Sequence, residues 1–312
     1  MNTNSCQIIL IMKIHAYKYQ GAGNDFVILD NRSGKYRLTT KQINLLCDRR
    51  FGIGGDGLML LGKSKKYDFS MRYFNSDGKE GTMCGNGGRC LSAFAAQVGV
   101  IGKMLGKDKT DKGIQTFEFE AIDGYHKSQI LKNAFAQNHK SSAGNKAEKT
   151  AKECIVKLKM KDVDECKKYS PTAYFLNTGS AHYVEFVKDV KNYPVAEKGK
   201  YWRWHKDFKG GTNANFVSGT ENGLFVRTYE RGVEAETFAC GTGITASCIA
   251  AYTDGGKRYV FCKKTPAGNN VKFNAQALGG KLSVEFVEKN GKFTEVYLTG
   301  PATFVFECEV EI

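Results

Sequence analysis

The chain has 312 residues, more than one domain usually holds, so two domains of about 150 residues are expected, each long enough to bury a core. Apolar and charged fractions of 41% and 25% are those of a globular protein, and 35 glycines against 4 prolines suit a strand-rich chain with many tight turns. The formal charge of +14 raises nucleic acid as a partner, but much of the excess lies in lysines between Lys103 and Lys168, a stretch poor in aromatics that reads as solvated surface, so no specific nucleic-acid site is expected.

In chain order, Lys13 to Tyr19 alternates in polarity and Gly21 to Asp30 is a glycine turn running into a second strand, giving a hairpin with Asn24 and Asp25 at its head. Domain-like sequence begins at Lys13, which makes Met12 the expected start. The preceding apolar run lacks a basic flank and a cleavage site, so no secretory signal is read there. Thr39 to Arg49 carries apolar residues at helical spacing behind a Thr cap. Phe51-Gly-Ile-Gly-Gly-Asp-Gly57 then turns into a strand at Leu58–Leu61; no helix follows, so it is a poor dinucleotide fingerprint. Further strands are expected at Tyr67–Tyr73, Thr116–Ile122, Ser128–Leu131 and Ile155–Met160. Residues 133–152, polar and lysine-rich, read as a flexible insertion.

The second half opens with a strand at Ala173–Leu176, a turn carrying Ser180 and His182, and another asparagine-bearing turn at Asn213 and Asn215. Arg258 to Ile312 is mostly strand, and its last segment is expected to cross back to the first domain. No stretch is long enough to span a membrane. The ten cysteines form no CxxC pair and match neither a zinc site nor a disulfide scaffold, so free thiols and a reducing cytoplasm are expected, with no metal.

One pattern occurs twice, 156 positions apart, and superimposes Tyr73 on Tyr229, Cys84 on Cys240, Gly85 on Gly241, Gly87 on Gly243, Ala95 on Ala251 and Gly99 on Gly255. Each copy reads as a strand, an exposed loop, then Cys-Gly-x-Gly opening an apolar helix that stops at glycine. Such a helix start offers unpaired backbone N–H groups and about half a positive charge, which suits an anion. A cysteine there is expected to have its pKa lowered from about 8.5 toward roughly 3.5–7.5.

Six motifs in order then carry a family resemblance: Gly-Ala-Gly-Asn24-Asp-Phe-Val, Phe-Asn75-Ser-Asp-Gly, Cys84-Gly-Asn-Gly, Thr-Asn213-Ala-Asn, Tyr-Glu230-Arg231-Gly and Ala-Cys240-Gly-Thr-Gly. From Met12 to the end, apart from the lysine-rich insertion, the chain resembles the diaminopimelate epimerases, cofactor-independent amino-acid epimerases. The resemblance implies an α/β (α+β) fold of two pseudo-symmetric domains, each a mostly antiparallel sheet wrapped around a central helix, with the active-site cleft between them. The domains are read as 12–160 and 161–299, with a strand at about 300–312 returning to the first.

The resemblance further implies that Cys84 and Cys240 flank the substrate α-carbon as base and acid, with His182 and Glu230 setting their protonation. Gly85, Asn86, Gly241 and Thr242 would offer N–H groups to the reacting carboxylate. Asn24, Asn75, Asn213, Glu230 and Arg231 would hold the other polar groups of a small dicarboxylic amino acid. No membrane partner is implied, and a homodimer stays open. Two positions depart from the family pattern: Gly57 and Ser180 stand where many members carry amides, which alters recognition of the distal end.

The chemistry requires such a pair. Inverting an α-carbon takes a proton from one face and supplies one on the other, so two thiols, one of them thiolate, titrate as a coupled pair. With no pyridoxal lysine motif visible, helix N-termini must stabilise the carbanion, at about 3–4 kcal/mol per preorganised donor. Rival readings are a proline or hydroxyproline epimerase of the same fold, a thiol hydrolase, which leaves the second cysteine idle, and a basic nucleic-acid binder.

Overall fold

The computed structural model describes residues 12–105, 114–135, 152–255 and 270–312. The first half runs β1 (Lys13–Gly21), β2 (Asn24–Asp30), α1 (Thr40–Cys47), β3 (Gly57–Gly62), β4 (Phe69–Asn75), β5 (Glu80–Gly81), α2 (Gly85–Gln97), β6 (Lys103–Leu105), β7 (Ile114–Ala121), β8 (Gly124–Lys132) and β9 (Lys152–Lys159). The second runs β10 (Cys166–Ser170), β11 (Ala173–Asn177), β12 (Ala181–Phe186), α3 (Val195–Arg203), β13 (Asn213–Thr220), β14 (Gly223–Glu230), β15 (Ala235–Thr237), α4 (Gly241–Thr253), β16 (Asn270–Ala277), β17 (Gly280–Lys289) and β18 (Lys292–Glu311).

The two halves repeat one topology. β2 pairs in parallel with β3 and β3 antiparallel with β4, while β12 pairs in parallel with β13 and β13 antiparallel with β14. The parallel registers match residue for residue: Phe26 lies opposite Gly57, and His182 opposite Asn213, each 156 positions further on. β18 joins the halves. Its first part pairs with β17, Gly300–Phe304 with β9, and Thr303–Glu311 with β1.

Each half wraps its strands around one helix. Gly85 to Ala95 of α2 is buried without a break, as is nearly all of α4, because both helices are built mainly of small and apolar residues and the polar ones in α2, Asn86, Arg89 and Ser92, find hydrogen-bond partners inside. Gly99 (φ +73°) and Gly255 (φ +96°) adopt the left-handed conformation that ends each helix. Phe69, Phe94, Phe117 and Phe119 fill the first core and Ile249, Phe273, Phe286 and Phe293 the second, within one continuous cluster. Each such side chain contributes about 1.5–3 kcal/mol by leaving water. Thr39 caps α1 through a reciprocal bond with Gln42.

The elements depart from the sequence reading in small ways. The strand expected at Tyr67–Tyr73 is Phe69–Asn75, and Lys152, read as part of the insertion, already belongs to β9. Residues 136–151 of that insertion lie outside the described residues. His182 and Asn213 sit inside β12 and at the first position of β13, not in turns, because the parallel ladder begins there. Among the described residues no helix is long and apolar enough to cross a membrane.

Candidate active site

The two cysteines occupy the same place in the two halves: Cys84 is the N-cap of α2 and Cys240 the N-cap of α4, both in extended backbone. The helices meet start to start. A Cβ built on Gly85 would lie 3.8 Å from the Gly241 Cα, one on Gly241 3.6 Å from the Gly85 Cα, and Leu298 of β18 would touch both. At Gly241 a Cβ would also press on the Leu298 side chain, at 2.9 Å, and the approach directs the two helix starts toward one place. The contact is tied by the Asn86 amide, whose Nδ2 donates to the Ala239 carbonyl at 2.8 Å, next to Cys240.

Cys84 sits among amides. Its Sγ lies 3.7 Å from Asn24 Oδ1, which also receives Asn86 Nδ2 at 3.4 Å. Asn24 is turned this way by Asp56, which accepts from its amide nitrogen and pairs with Arg49, itself bound to Asp25. Although burial opposes it, Arg49 and Lys18 hold the Asp25 carboxyl below the usual carboxylate range. Behind Asn86 lies Arg89, fully buried, which donates to Asn86 Oδ1 at 3.0 Å, to the Gly85 carbonyl at 3.2 Å and to the Pro301 carbonyl at 3.3 Å. Its guanidinium fits because Gly21 and Gly300 leave room beside it.

Cys240 sits among hydroxyls and a carboxyl. Its Sγ lies 3.4 Å from Thr242 Oγ1 and accepts the Gly243 N–H at 3.4 Å. Glu230, at the end of β14, bonds the sulfur and accepts from Thr237 Oγ1 at 2.6 Å. His182 is fully buried and touches Ser180 Oγ at 2.9 Å and Asn215 at 3.1 Å. Its route to the sulfur runs through Ser180 and Thr242, which are 3.4 Å apart.

The thiols differ from expectation in their ionisation. Burial pushes the Cys84 thiol up; the N–H groups of Gly87 and Asn86 and the Arg89 charge oppose this, while Glu230 adds to it. Cys240 is pushed well above its ordinary value, by burial first and then by Glu230, against Thr242 and Gly243. The lowering expected from a helix start is thus outweighed by desolvation. Burial likewise raises the Glu230 carboxyl and holds His182 down to about 3, with Arg231 adding to the latter, so His182 is neutral at physiological pH.

Cys84, Gly85, Asn86, Asn24, Cys240, Gly241, Thr242, Glu230 and, through Ser180, His182 and Asn213 are therefore brought together. Asn213 is buried, accepting the Arg231 N–H at 2.9 Å and donating to the Ala181 carbonyl at 3.0 Å. Asn75 and Arg231 are exposed, and among the described residues the Arg231 guanidinium donates to the Gly210 carbonyl alone, at 3.4 Å. At Gly57, a Cβ would lie 2.6 Å from the Tyr73 ring and 2.5 Å from the Phe74 carbonyl, so these two groups already occupy the space beside it. Asp56, Arg89, Asn215 and Thr237 were not read from the sequence as site residues. Two of them carry a signal: Arg89, a charge within a largely apolar helix, and Asn215, which closes the Thr-Asn213-Ala-Asn motif. Among the described residues no three acidic, His or Cys side chains converge as metal ligands would.

Comparison with known proteins agrees with this geometry. The diaminopimelate epimerase family profile matches residues 16–124 and 174–305. A diaminopimelate epimerase of Flavobacterium psychrophilum is 43% identical over 297 residues, covering 94% of this chain and 99% of that protein. The chain belongs to the diaminopimelate epimerase family. The Aquifex aeolicus member is 35% identical over 93% of this chain and 95% of its own. Among solved structures, a PhzF-family phenazine biosynthesis protein of Bacillus anthracis superimposes with a TM-score of 0.67 at 16% identity, covering 96% of this chain and all of that one. A hydroxyproline epimerase of Agrobacterium vitis gives 0.59 at 12% identity, covering 96% of this chain and 93% of its own. At these identities they share the fold, two strand-rich halves each around a central helix.

Proposed function

We propose that this family member interconverts LL- and meso-diaminopimelate in lysine biosynthesis, in the cytoplasm and without a cofactor, with Cys84 and Cys240 as the two bases. The observation that carries the reading is the start-to-start meeting of two cysteine-capped helices. A substrate carboxylate at that meeting point receives the N–H groups of Gly85, Asn86, Gly241 and Thr242, which oppose the charge that builds up as the α-proton leaves. One sulfur, as thiolate, takes that proton; the opposite thiol delivers its own to the other face, and the two exchange protonation states in each turnover. Asn24, Asn75, Asn213, Glu230 and Arg231 bind the remaining polar groups, the exposed Arg231 guanidinium, which gives one N–H to the Gly210 carbonyl, taking the distal carboxylate.

The experiment is incubation of purified protein with LL-diaminopimelate in deuterated water, with L-proline in parallel. Deuterium at the α-carbon together with the meso isomer is expected, and none in proline. Turnover of proline but not of LL-diaminopimelate would overturn the substrate assignment.

A further inference from the structure

The donors and acceptors around Ser180 fix the direction of each hydrogen bond from His182 to Thr242. Asn215 Nδ2 donates to the Tyr183 carbonyl at 2.8 Å, and a carbonyl only accepts, so the amide orientation is set. Its second hydrogen goes to His182 Nδ1 at 3.1 Å, and its Oδ1 accepts from Thr228 at 2.9 Å. The ring hydrogen of neutral His182 is therefore on Nε2 and is given to Ser180 Oγ at 2.9 Å. Asn213 Nδ2 also donates to Ser180 Oγ, at 3.3 Å, its other hydrogen being held by the Ala181 carbonyl. A serine oxygen accepts twice and donates once. With both acceptor sites filled, the Ser180 hydrogen goes to Thr242 Oγ1 at 3.4 Å; Thr242 Oγ1 lies 3.4 Å from Cys240 Sγ and gives its own hydrogen to that sulfur when the sulfur is the thiolate, which can only accept.

We propose that Ser180 is a positioning residue that turns buried His182 into a fixed donor for the Cys240 sulfur, gathering the His182 and Asn213 hydrogens so that its own points along the chain through Thr242. This deepens, and rests on, the epimerase reading. No proton moves along the chain; it is a row of aligned dipoles whose positive ends face the sulfur, favouring the thiolate. It opposes the charged groups that face Cys240 from elsewhere, Glu230 on β14 and Cys84 at the start of α2, while Arg231 acts on the His182 end. The last two links are each 3.4 Å long, so the dipole at Thr242 acts on the sulfur more weakly than a short hydrogen bond would.

The test is the pH dependence of alkylation of each cysteine by iodoacetamide, read by peptide mass in the intact protein, for wild type, Ser180→Ala, Ser180→Thr and Thr242→Val. Ser180→Ala is expected to raise the apparent pKa of Cys240 by about half a unit to one unit while leaving Cys84 in place. Thr242→Val, which cuts the final link, should raise it at least as far, and Ser180→Thr should restore the wild-type value. In the epimerase assay Ser180→Ala should lower kcat about fivefold with KM within twofold, because the charge is stabilised only when the thiolate forms. An unmoved Cys240 titration in both Ser180→Ala and Thr242→Val, or an equal shift of Cys84, overturns the proposal. Wild-type protein inactive on LL-diaminopimelate would sink the epimerase reading alone, since the thiol titrations decide the role of Ser180 without it.

Discussion

The two halves place the same backbone around each cysteine and fill it with different chemistry. The separation of Cys84 and Cys240 also matches Asn24 with Ser180, Phe26 with His182, Gly57 with Asn213, Asn86 with Thr242 and Arg89 with Thr245. Arg89 and Thr245 both bond the carbonyl of the first residue of their helix, Gly85 or Gly241, four positions back. Beyond that the copies diverge. Asn86 reaches across to the other half, whereas Thr242 turns to its own sulfur. A duplicated fold supplies two matched N-caps on helices that meet start to start; the divergent side chains make them unequal, with Arg89 behind one sulfur and Glu230 beside the other. The copies are thus alike where geometry is needed and unlike where protonation is decided.

The largest expected effect comes from removing either sulfur. Cys84→Ser and Cys240→Ser should each lower the epimerisation rate by about 10³-fold or more, as loss of a proton-transfer group does. Full activity in either variant would break the two-base comparison outright. Asn86→Ala comes next. It strands the Ala239 carbonyl and one arm of the buried Arg89, so a loss of about 2–4 kcal/mol in urea unfolding is expected. Thr242→Ala at the matched position should cost about 1 kcal/mol, since its hydroxyl is half-buried. Equal losses at the two positions would mean that Asn86 does not tie the halves together.

Much of this was legible beforehand for a physical reason. Cysteine, glycine and a helical run of small residues constrain the backbone locally, so the paired N-caps and the helix-ending Gly99 and Gly255 could be read from spacing alone. What sequence could not show was long-range satisfaction. Asn215 and Asp56 act by holding His182 and Asn24, residues 33 and 32 positions away. The thiol pKa expectation failed similarly. A helix start is local and visible, while the desolvation that outweighs it comes from the whole surrounding core.

Gly57 and Asn213 sharpen the comparison further. Asn213 spends its amide on Arg231, Ala181 and Ser180, whereas Gly57 is held empty by Tyr73 and the Phe74 carbonyl. Gly57→Ala brings a Cβ against that carbonyl, which cannot move without disturbing the β3–β4 ladder, and a loss of about 1–3 kcal/mol is expected. Recovery of that loss in Gly57→Ala/Tyr73→Phe would shift the cause from the carbonyl to the Tyr73 hydroxyl.

Phe26 and His182 yield the smallest effect and the one most specific to the asymmetry. Both side chains are fully buried, opposite Gly57 and Asn213 in matching parallel registers, yet only one can titrate. His182 is held down to about 3 in the folded protein, by burial first, against about 6.5 when unfolded. A depressed folded value means that the unfolded chain takes up the proton first. The stability His182 contributes is therefore complete above about pH 6.5 and is lost as pH falls toward 3, with a slope of at most about 1.4 kcal/mol per unit. His182→Phe, which copies the first half into the second, removes that slope while leaving the titrations of Asp25 and Glu230 in both proteins to cancel. Urea unfolding at pH 7, 6 and 5 should show wild type losing stability faster than the variant, whatever their absolute values. Parallel lines would mean that His182 takes up its proton as readily folded as unfolded, and the fixed Nε2–H donor of a permanently neutral ring would go with it.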